Sequence, residues 1–248
     1  MAGESKFLDR VAGESMLEVT QFLDRVRDEL EPEGSGVLYI PNAISKDECQ
    51  ELYSRLTNPS VEWLDARQKF VNQRGIEVTQ NFSTYALKMS QLTDVDSEAE
   101  IGIISLARRA KSLVHSLDGI FPMLANWEVD EAVAQRYDQG ETGLTWHKDN
   151  ERHQGLIVSA SISGQAEIYH RMYETEEPKK LYVGPGDMII LRGGFLHGSW
   201  YHDLRPEHRV DNVIDDRISL TFRANNRPNE PIPGVSYNNW NVTDDGQG

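Results

Sequence analysis

Short apolar blocks separated by Gly, Pro and Asn recur through most of the chain, a pattern that fits a packed core better than a disordered polymer. The period of the blocks changes near Trp127. Before it the spacing is largely helical. An amphipathic helix is predicted over residues 17–30, stopped by Pro32 and Gly34. Gly36-Val37-Leu38-Tyr39-Ile40-Pro41 predicts a strand. Ser45 with Glu48 three residues later forms a capping box, which predicts a helix over 45–56. A further helix is predicted over 97–117, with the acids of 94–100 near its positive end. After Trp127 come short alternating or apolar segments at 132–138, 156–163, 166–170, 180–183, 188–191 and 217–223, with turn residues between them. That spacing predicts an all-β barrel or sandwich.

The expected organisation is therefore α+β, with helices first and a β-core after them. A helical extension occupies 1–33, one domain occupies 34–225 with its β-core at about 130–225, and a tail rich in Asn, Pro and Gly runs over the surface from 226 to 248. Part of 2–11 recurs within 12–26. Two copies of unequal length do not make a solenoid, and the extreme start is expected to be mobile.

Charge narrows the function. With 25 basic and 40 acidic residues the formal net charge is -15. A protein gripping a phosphate backbone places many cations along one face, so strong binding to duplex DNA is not expected. The apolar run around 101–107 is too short to span a bilayer. No basic region followed by an apolar stretch opens the chain, so neither a membrane nor a secretory setting is expected. The single cysteine, Cys49, has no intrachain partner and reads as packing. A monomer in the reducing cytoplasm is the simplest expectation.

The first chemically informative spot is His147-Lys148-Asp149. On an extended segment, residues two apart point the same way, so an imidazole and a carboxylate can meet one metal ion with Lys148 turned away. One distant histidine would complete a two-His, one-carboxylate set that leaves positions open, as non-haem Fe(II) oxygenases require. By itself the triplet is weak evidence, since surface chance explains most such triplets. Arg217 to Arg223 then alternates strictly: Ile218, Leu220 and Phe222 on one face, Arg217, Ser219, Thr221 and Arg223 on the other. It reads either as a half-exposed strand or as a strand whose polar face lines a barrel. In the second case the guanidinium forks suit a dicarboxylate. Gln135 and Tyr137 share a face on a strand that precedes His147.

These residues form an ordered set. Gln135-Arg136-Tyr137-Asp138-Gln139-Gly140, His147-x-Asp149-x-Glu151, Gly186-Asp187, Trp200-Tyr201-His202 and the closing Arg217, Leu220-Thr221-Phe222-Arg223 together resemble the AlkB family of Fe(II)/2-oxoglutarate dioxygenases over about residues 130–225. The resemblance implies a double-stranded β-helix (jelly-roll) core, with Fe(II), 2-oxoglutarate and O2 as cofactor and cosubstrates. It implies iron bound by His147, Asp149 and His202. It implies Arg217 on the distal carboxylate of 2-oxoglutarate, with Gln135, Tyr137 and Arg223 about its other polar end and Ser219 on the same face. His197, in Leu196-His197-Gly198, is the alternative third ligand and otherwise lines the mouth. His153, His170 and His208 are expected to be surface or structural. Glu151 is a candidate substrate contact, and Tyr85 a candidate stacking residue. Position 135 is Gln where the family usually has Asn. The family's Pro-Arg-containing lid has no counterpart between about 60 and 95, so the substrate half departs from the pattern.

Three functions follow as expectations. The first is oxidative N-demethylation of an alkylated nucleobase or nucleotide, in which hydroxylation of a carbon on nitrogen releases formaldehyde. The second is hydroxylation of a small metabolite or peptide side chain on the same fold. The third is a non-enzymatic metal-binding β-barrel, which must also account for Arg217 and Arg223.

Overall fold

The structure is a computed structural model that describes residues 16–72, 74–92, 97–140, 142–197, 203–227 and 237–239. Among the described residues three α-helices, α1 (Met16–Leu30), α2 (Lys46–Leu56) and α3 (Glu98–His115), accompany eleven strands: β1 (Val37–Ile40), β2 (Leu64–Asp65), β3 (Gln68–Val71), β4 (Glu77–Gln80), β5 (Phe82–Lys88), β6 (Glu131–Tyr137), β7 (Leu144–His147), β8 (His153–Arg171), β9 (Lys179–Val183), β10 (Met188–Arg192) and β11 (Glu207–Asn225). The first copy of the N-terminal near-repeat lies outside the described residues. So do His202 and most of the tail after 227.

Helix ends follow the local code. Ser45 and Ser97 each accept a hydrogen bond from the backbone of the third helical residue, Glu48 or Glu100, whose side chain returns the bond to the cap. No helix among the described residues is long and apolar enough to cross a membrane.

All pairing between these strands is antiparallel, and two long strands organise it. β8 and β11 lie side by side along their length, and each has one half in each of two sheets. Residues 156–160 of β8 pair with β10, while 166–170 pair with β9. Residues 217–223 of β11 pair with β6, while His208 and Val210 pair with β7. The major sheet therefore runs β1-β10-β8-β11-β6-β5-β2, and the minor one runs β9-β8-β11-β7-β4-β3. The change of sheet in β11 falls at register shifts between Asp211 and Ile218, where Asn212 and Asp215 take positive φ values of 48° and 61°. Such irregularities bend a strand and re-aim its side chains. This is a double-stranded β-helix, as expected.

Two cores result. The outer face of the major sheet packs on the helices: Leu38, Val158, Ile190, Ile218, Leu220 and Phe222 meet Leu30, Leu56, Ile103 and Val114, all buried. The space between the sheets holds Val37, Tyr137, Ile157, Ile168, Ile189, Leu191 and Val210. Because both of its faces are covered, β10 reads as the continuous run Met188-Ile189-Ile190-Leu191 rather than as an alternation.

Three expectations are corrected. The β-core begins well before 130: β1, expected as a strand, and the unexpected strands of 64–88 all belong to the two sheets, and the latter lack the regular apolar alternation by which strands are recognised. The predicted strands at 156–163 and 166–170 are one strand, because the turn-like Gly164-Gln165 is a bend within it. The tail does not simply run over the surface. Tyr237 is 5% exposed and packs on Ala86 and Val133. Asn238 and Asn239 add hydrogen bonds to the backbone of β5 at Ala86 and Lys88.

Candidate metal centre

β7 ends at His147, Asp149 follows it, and β11 sets His208 directly across from His147. One ligand atom from each of His147, Asp149 and His208 lies within 4.8 Å of the other two. The imidazole rings stand 4.2 Å apart, and His208 Nε2 is 3.5 Å from Asp149 Oδ2. The two imidazoles are oriented alike. His147 Nδ1 faces the carbonyl of Thr145 at 2.9 Å, and His208 Nδ1 faces that of Pro206 at 3.4 Å. When Nδ1–H donates to a carbonyl, the Nε2 lone pair is left for a metal.

Electrostatics reinforce the set. Burial lowers the pKa of His147. Burial and then its neighbour His147 push His208 down to about 3, so both rings are neutral at pH 7. Burial alone would raise the Asp149 carboxyl, but Arg223, then His208 and His147, hold it well below the usual carboxylate range. Two neutral imidazoles and an ionised carboxylate are the donor state a divalent cation needs. Lys148 turns away, its Nζ 3.1 Å from Asp203. Trp146 faces outward, with Arg171 at 4.3 Å and Arg209 at 5.2 Å from its ring centre.

The triad opens into a pocket between the sheets, about 540 Å³ with the solvent at its mouth included, lined by the polar face of β11, by Gln135 and Tyr137, and by Ile157, Ile168, Ile189 and Leu191. The strand register fixes this wall: Arg217 pairs with Tyr137, Ser219 with Gln135, and Arg223 with Glu131. Arg217 is 3% exposed. Its Nε and Nη1 are buried without a hydrogen-bond partner among the described residues, and its guanidinium stacks 4.5 Å from the Tyr137 ring centre. The Tyr137 hydroxyl donates to Gln135 Oε1 at 3.1 Å. Gly164, at φ +62°, lets β8 pass close to this point; a Cβ there would lie 2.6 Å from Arg217 Cα. A buried guanidinium with idle donors is costly unless something anionic reaches it. Together with the donor set, it fits iron and a dicarboxylate in one cavity.

Arg223 occupies the other end. Its Nη2 is 3.3 Å from Asp149 Oδ1. Behind it lies a buried carboxylate that the sequence reading passed over, Glu131. Burial would raise Glu131, but His153, Arg223 and Asn225 bring it down to about 2.

The sequence-derived candidates thus divide. His147, Asp149, Gln135, Tyr137, Arg217, Ser219 and Arg223 share one cavity. Gln135 and Tyr137 sit at the Arg217 end, not with Arg223 as the resemblance implied, because the antiparallel register sets them opposite Ser219 and Arg217. His202 lies outside the described residues. His197 is away from the triad: its Nε2 faces the Leu30 carbonyl at 2.9 Å and its ring meets Phe121 edge-on. His208, expected to be surface or structural, is instead in the triad. The alternation of His208 and Val210 with Arg209 and Asp211 was the available signal for a strand with a histidine on its inner face. Tyr85 is no cavity residue. It pairs with Ala134 on the helix-facing side and is buried in the outer core beside Trp63, while Thr84 shares the face of Gln135. Glu151 is exposed and, with His197 and Arg205, lines a separate depression of about 470 Å³.

Residues 36–223 match the family model described as the 2OG-Fe(II) oxygenase superfamily. No curated protein matches the chain. Among solved structures, a putative oxygenase from Shewanella oneidensis is similar at TM-score 0.57 and 14% identity, covering 86% of this chain and 88% of that one. A prolyl hydroxylase from Trichoplax adhaerens, in complex with a hypoxia inducible factor peptide fragment, gives TM-score 0.56 at 14% identity, over 87% and 96% of the two chains. A Pseudomonas putida prolyl-4-hydroxylase gives 0.52 at 12%, over 82% and 97%. At these identities the likeness is one of fold.

Proposed function

This chain belongs to the 2OG-Fe(II) oxygenase superfamily, and on that premise we propose that it hydroxylates a C–H bond, with His147, Asp149 and His208 holding Fe(II) and Arg217 anchoring 2-oxoglutarate. The observation that carries this reading is the coincidence, in one cavity, of three convergent ligand atoms and a buried guanidinium with idle donors. The bound metal, with 2-oxoglutarate and O2, supplies the oxidising power: the cosubstrate loses CO2 to give succinate and the substrate carbon gains a hydroxyl.

The chain's own residues do the rest. Thr145 and Pro206 fix the two imidazoles with Nε2 exposed to the metal. Arg217 offers a planar fork to the distal carboxylate, with the Tyr137 ring beneath it. Gln135 and Tyr137 add neutral polar groups at that end, and Ser219 lies on the same wall. Ile157, Ile168, Ile189 and Leu191 exclude water from the opposite side.

For the substrate, the motif set of 135–223 supports AlkB-like oxidative N-demethylation of an alkylated nucleobase or nucleotide, and the net charge of -15 argues against a duplex held by its backbone. The second reading is hydroxylation of a peptide side chain or small metabolite. It is favoured by the fold likeness to two prolyl hydroxylases and by Tyr85 being committed to the core. Glu151, Arg205 and His197 at the neighbouring depression are the residues proposed to meet substrate on entry. Succinate release from 2-oxoglutarate with Fe(II) and O2 tests the class, and its absence from the wild-type protein would refute it. Formaldehyde release across N-methylated nucleosides, single-stranded DNA and RNA, set against hydroxylation of peptides and a metabolite pool, separates the two substrate readings. Robust turnover of methylated duplex DNA at physiological salt would contradict the charge argument against a duplex and the second reading, and would favour demethylation.

A further inference from the structure

Glu131 is fully buried at the start of β6, and four groups converge on its carboxylate. Asn225 Nδ2 and the Tyr237 hydroxyl each donate to Oε1 at 2.9 Å. Lys88 Nζ lies 3.5 Å from the same oxygen, and His153 Nε2 stands 3.3 Å from Oε2. His153 points its other nitrogen toward the metal ligand: Nδ1 is 4.0 Å from Asp149 Oδ1. It is buried and makes no hydrogen bond among the described residues. Asp149 Oδ1 is therefore faced by Arg223 and His153, while Oδ2 is faced by His208.

A polar chain thus runs from Tyr237 through Glu131 and His153 to the carboxylate ligand. Its far end is supplied by a residue 106 positions away from Glu131. That end is fastened in place. Asn238 N donates to Ala86 O at 2.7 Å, and its side-chain oxygen accepts from Ala86 N at 2.8 Å. Asn239 bridges both backbone groups of Lys88, at 2.8 and 2.9 Å.

We propose that residues 237–239 are a working part of the metal centre: Tyr237 is a positioning residue that, through Glu131 and His153, holds the Asp149 carboxylate in ligand geometry. The inference rests on the reading of His147, Asp149 and His208 as the metal ligands. A buried carboxylate keeps one orientation only while its donors saturate it. Without the Tyr237 hydroxyl, Oε1 loses one of its two 2.9 Å donors, and Glu131 is free to turn from His153 toward Lys88. His153 then no longer has a fixed ring orientation beside Asp149. Groups that orient a metal ligand in this way typically govern affinity without touching the ion.

Packing alone would explain a buried tyrosine, so the test removes only the hydroxyl. Full-length protein, stripped of metal, is titrated with Co(II), and both affinity and the ligand-field absorption spectrum are recorded for wild type, Tyr237→Phe, Glu131→Gln and His208→Ala. Tyr237→Phe keeps the ring and is expected to melt close to wild type, yet to bind Co(II) about three- to tenfold more weakly with an altered spectrum. Glu131→Gln is expected to weaken it further, by about ten- to a hundredfold. Wild-type affinity and an unchanged spectrum in Tyr237→Phe, whatever Glu131→Gln does, would overturn the inference while leaving the ligand reading intact. Failure of the wild type to bind Co(II), or undiminished binding by His208→Ala, would instead defeat the ligand reading, and the inference with it.

Discussion

Arg217 and Arg223 are the same residue type on the same face of the same strand, yet their surroundings differ in kind. Arg223 is committed at its tip: its Nη2 lies 3.3 Å from Asp149, next to the buried Glu131 group, although its Nε has no hydrogen-bond partner among the described residues. Arg217 is buried over an aromatic ring with two donor nitrogens idle, and no carboxylate among the described residues pairs with it. A partnered guanidinium helps hold the protein's own structure. An unpartnered one is a standing cost that a ligand relieves. The difference separates, within one strand, what supports the metal site from what receives the cosubstrate.

The comparison assumes that Asp149 is a metal ligand, and the largest effects test that. His147→Ala, Asp149→Ala and His208→Ala are each expected to lower Co(II) or Fe(II) affinity by a hundredfold or more, roughly 3 kcal/mol, while His202→Ala keeps wild-type binding. The reverse result for the last two would move the third ligand to His202.

Stability of the metal-free protein separates the two arginines next. Arg223→Ala leaves a buried carboxylate without its cation and is expected to lower unfolding free energy by about 3–5 kcal/mol in urea. Arg217→Met, which preserves length and packing, is expected to hold or gain roughly 1 kcal/mol. Equal losses in both would mean that the two arginines do not differ in role.

Cosubstrate affinity should invert that order. Arg217→Ala is expected to weaken 2-oxoglutarate by about 2–5 kcal/mol without changing metal affinity. Arg217→Lys should recover it only in part, because the fork is lost. Calorimetric titration with 2-oxoglutarate in the presence of Co(II) reads both.

The smallest effect concerns pH. Burial depresses His208 to about 3 and His170 to about 4. Both bind a proton more readily when unfolded, near pH 6.5, than when folded. Their stabilising contribution is therefore complete above about pH 6.5 and is lost as pH falls toward the folded values. For each, roughly 2 kcal/mol should disappear between pH 7 and pH 5 in metal-free protein. His170 lies outside the cavity, so His170→Gln should remove its own share, roughly 2 kcal/mol, and leave metal binding unchanged. A flat stability profile over this range would contradict the burial-driven shifts.

How far the sequence reaches can be read from particular residues. Ser45 with Glu48 states a helix start outright, because the capping bonds are local. His147-Lys148-Asp149 states that two ligands share a face, because strand geometry has a period of two. The alternation from Arg217 to Arg223 states that one face is apolar and the other polar. It leaves open what each side meets: the apolar face meets helices and the polar face lines the cavity between the sheets. The strands of 64–88 left no readable pattern: β3 is exposed along its length, while β5 is buried at Tyr85, Ala86 and Leu87 in succession, so neither shows a regular alternation.

What the sequence by itself determined, then, is local: helix ends, most of the β segments after Trp127, the pairing of His147 with Asp149, and the two faces of β11. What only the tertiary structure decided is every relation across long separations. The bend between Asp211 and Ile218 carries β11 from one sheet to the other, and so puts His208 opposite His147 while Arg217 faces Tyr137. The antiparallel register sends Gln135 to the Arg217 end, and the fold of the tail brings Tyr237 to Glu131. These relations depend on strand register and chain reversal, which arise from packing the whole apolar set at once. No window of neighbouring residues contains that information.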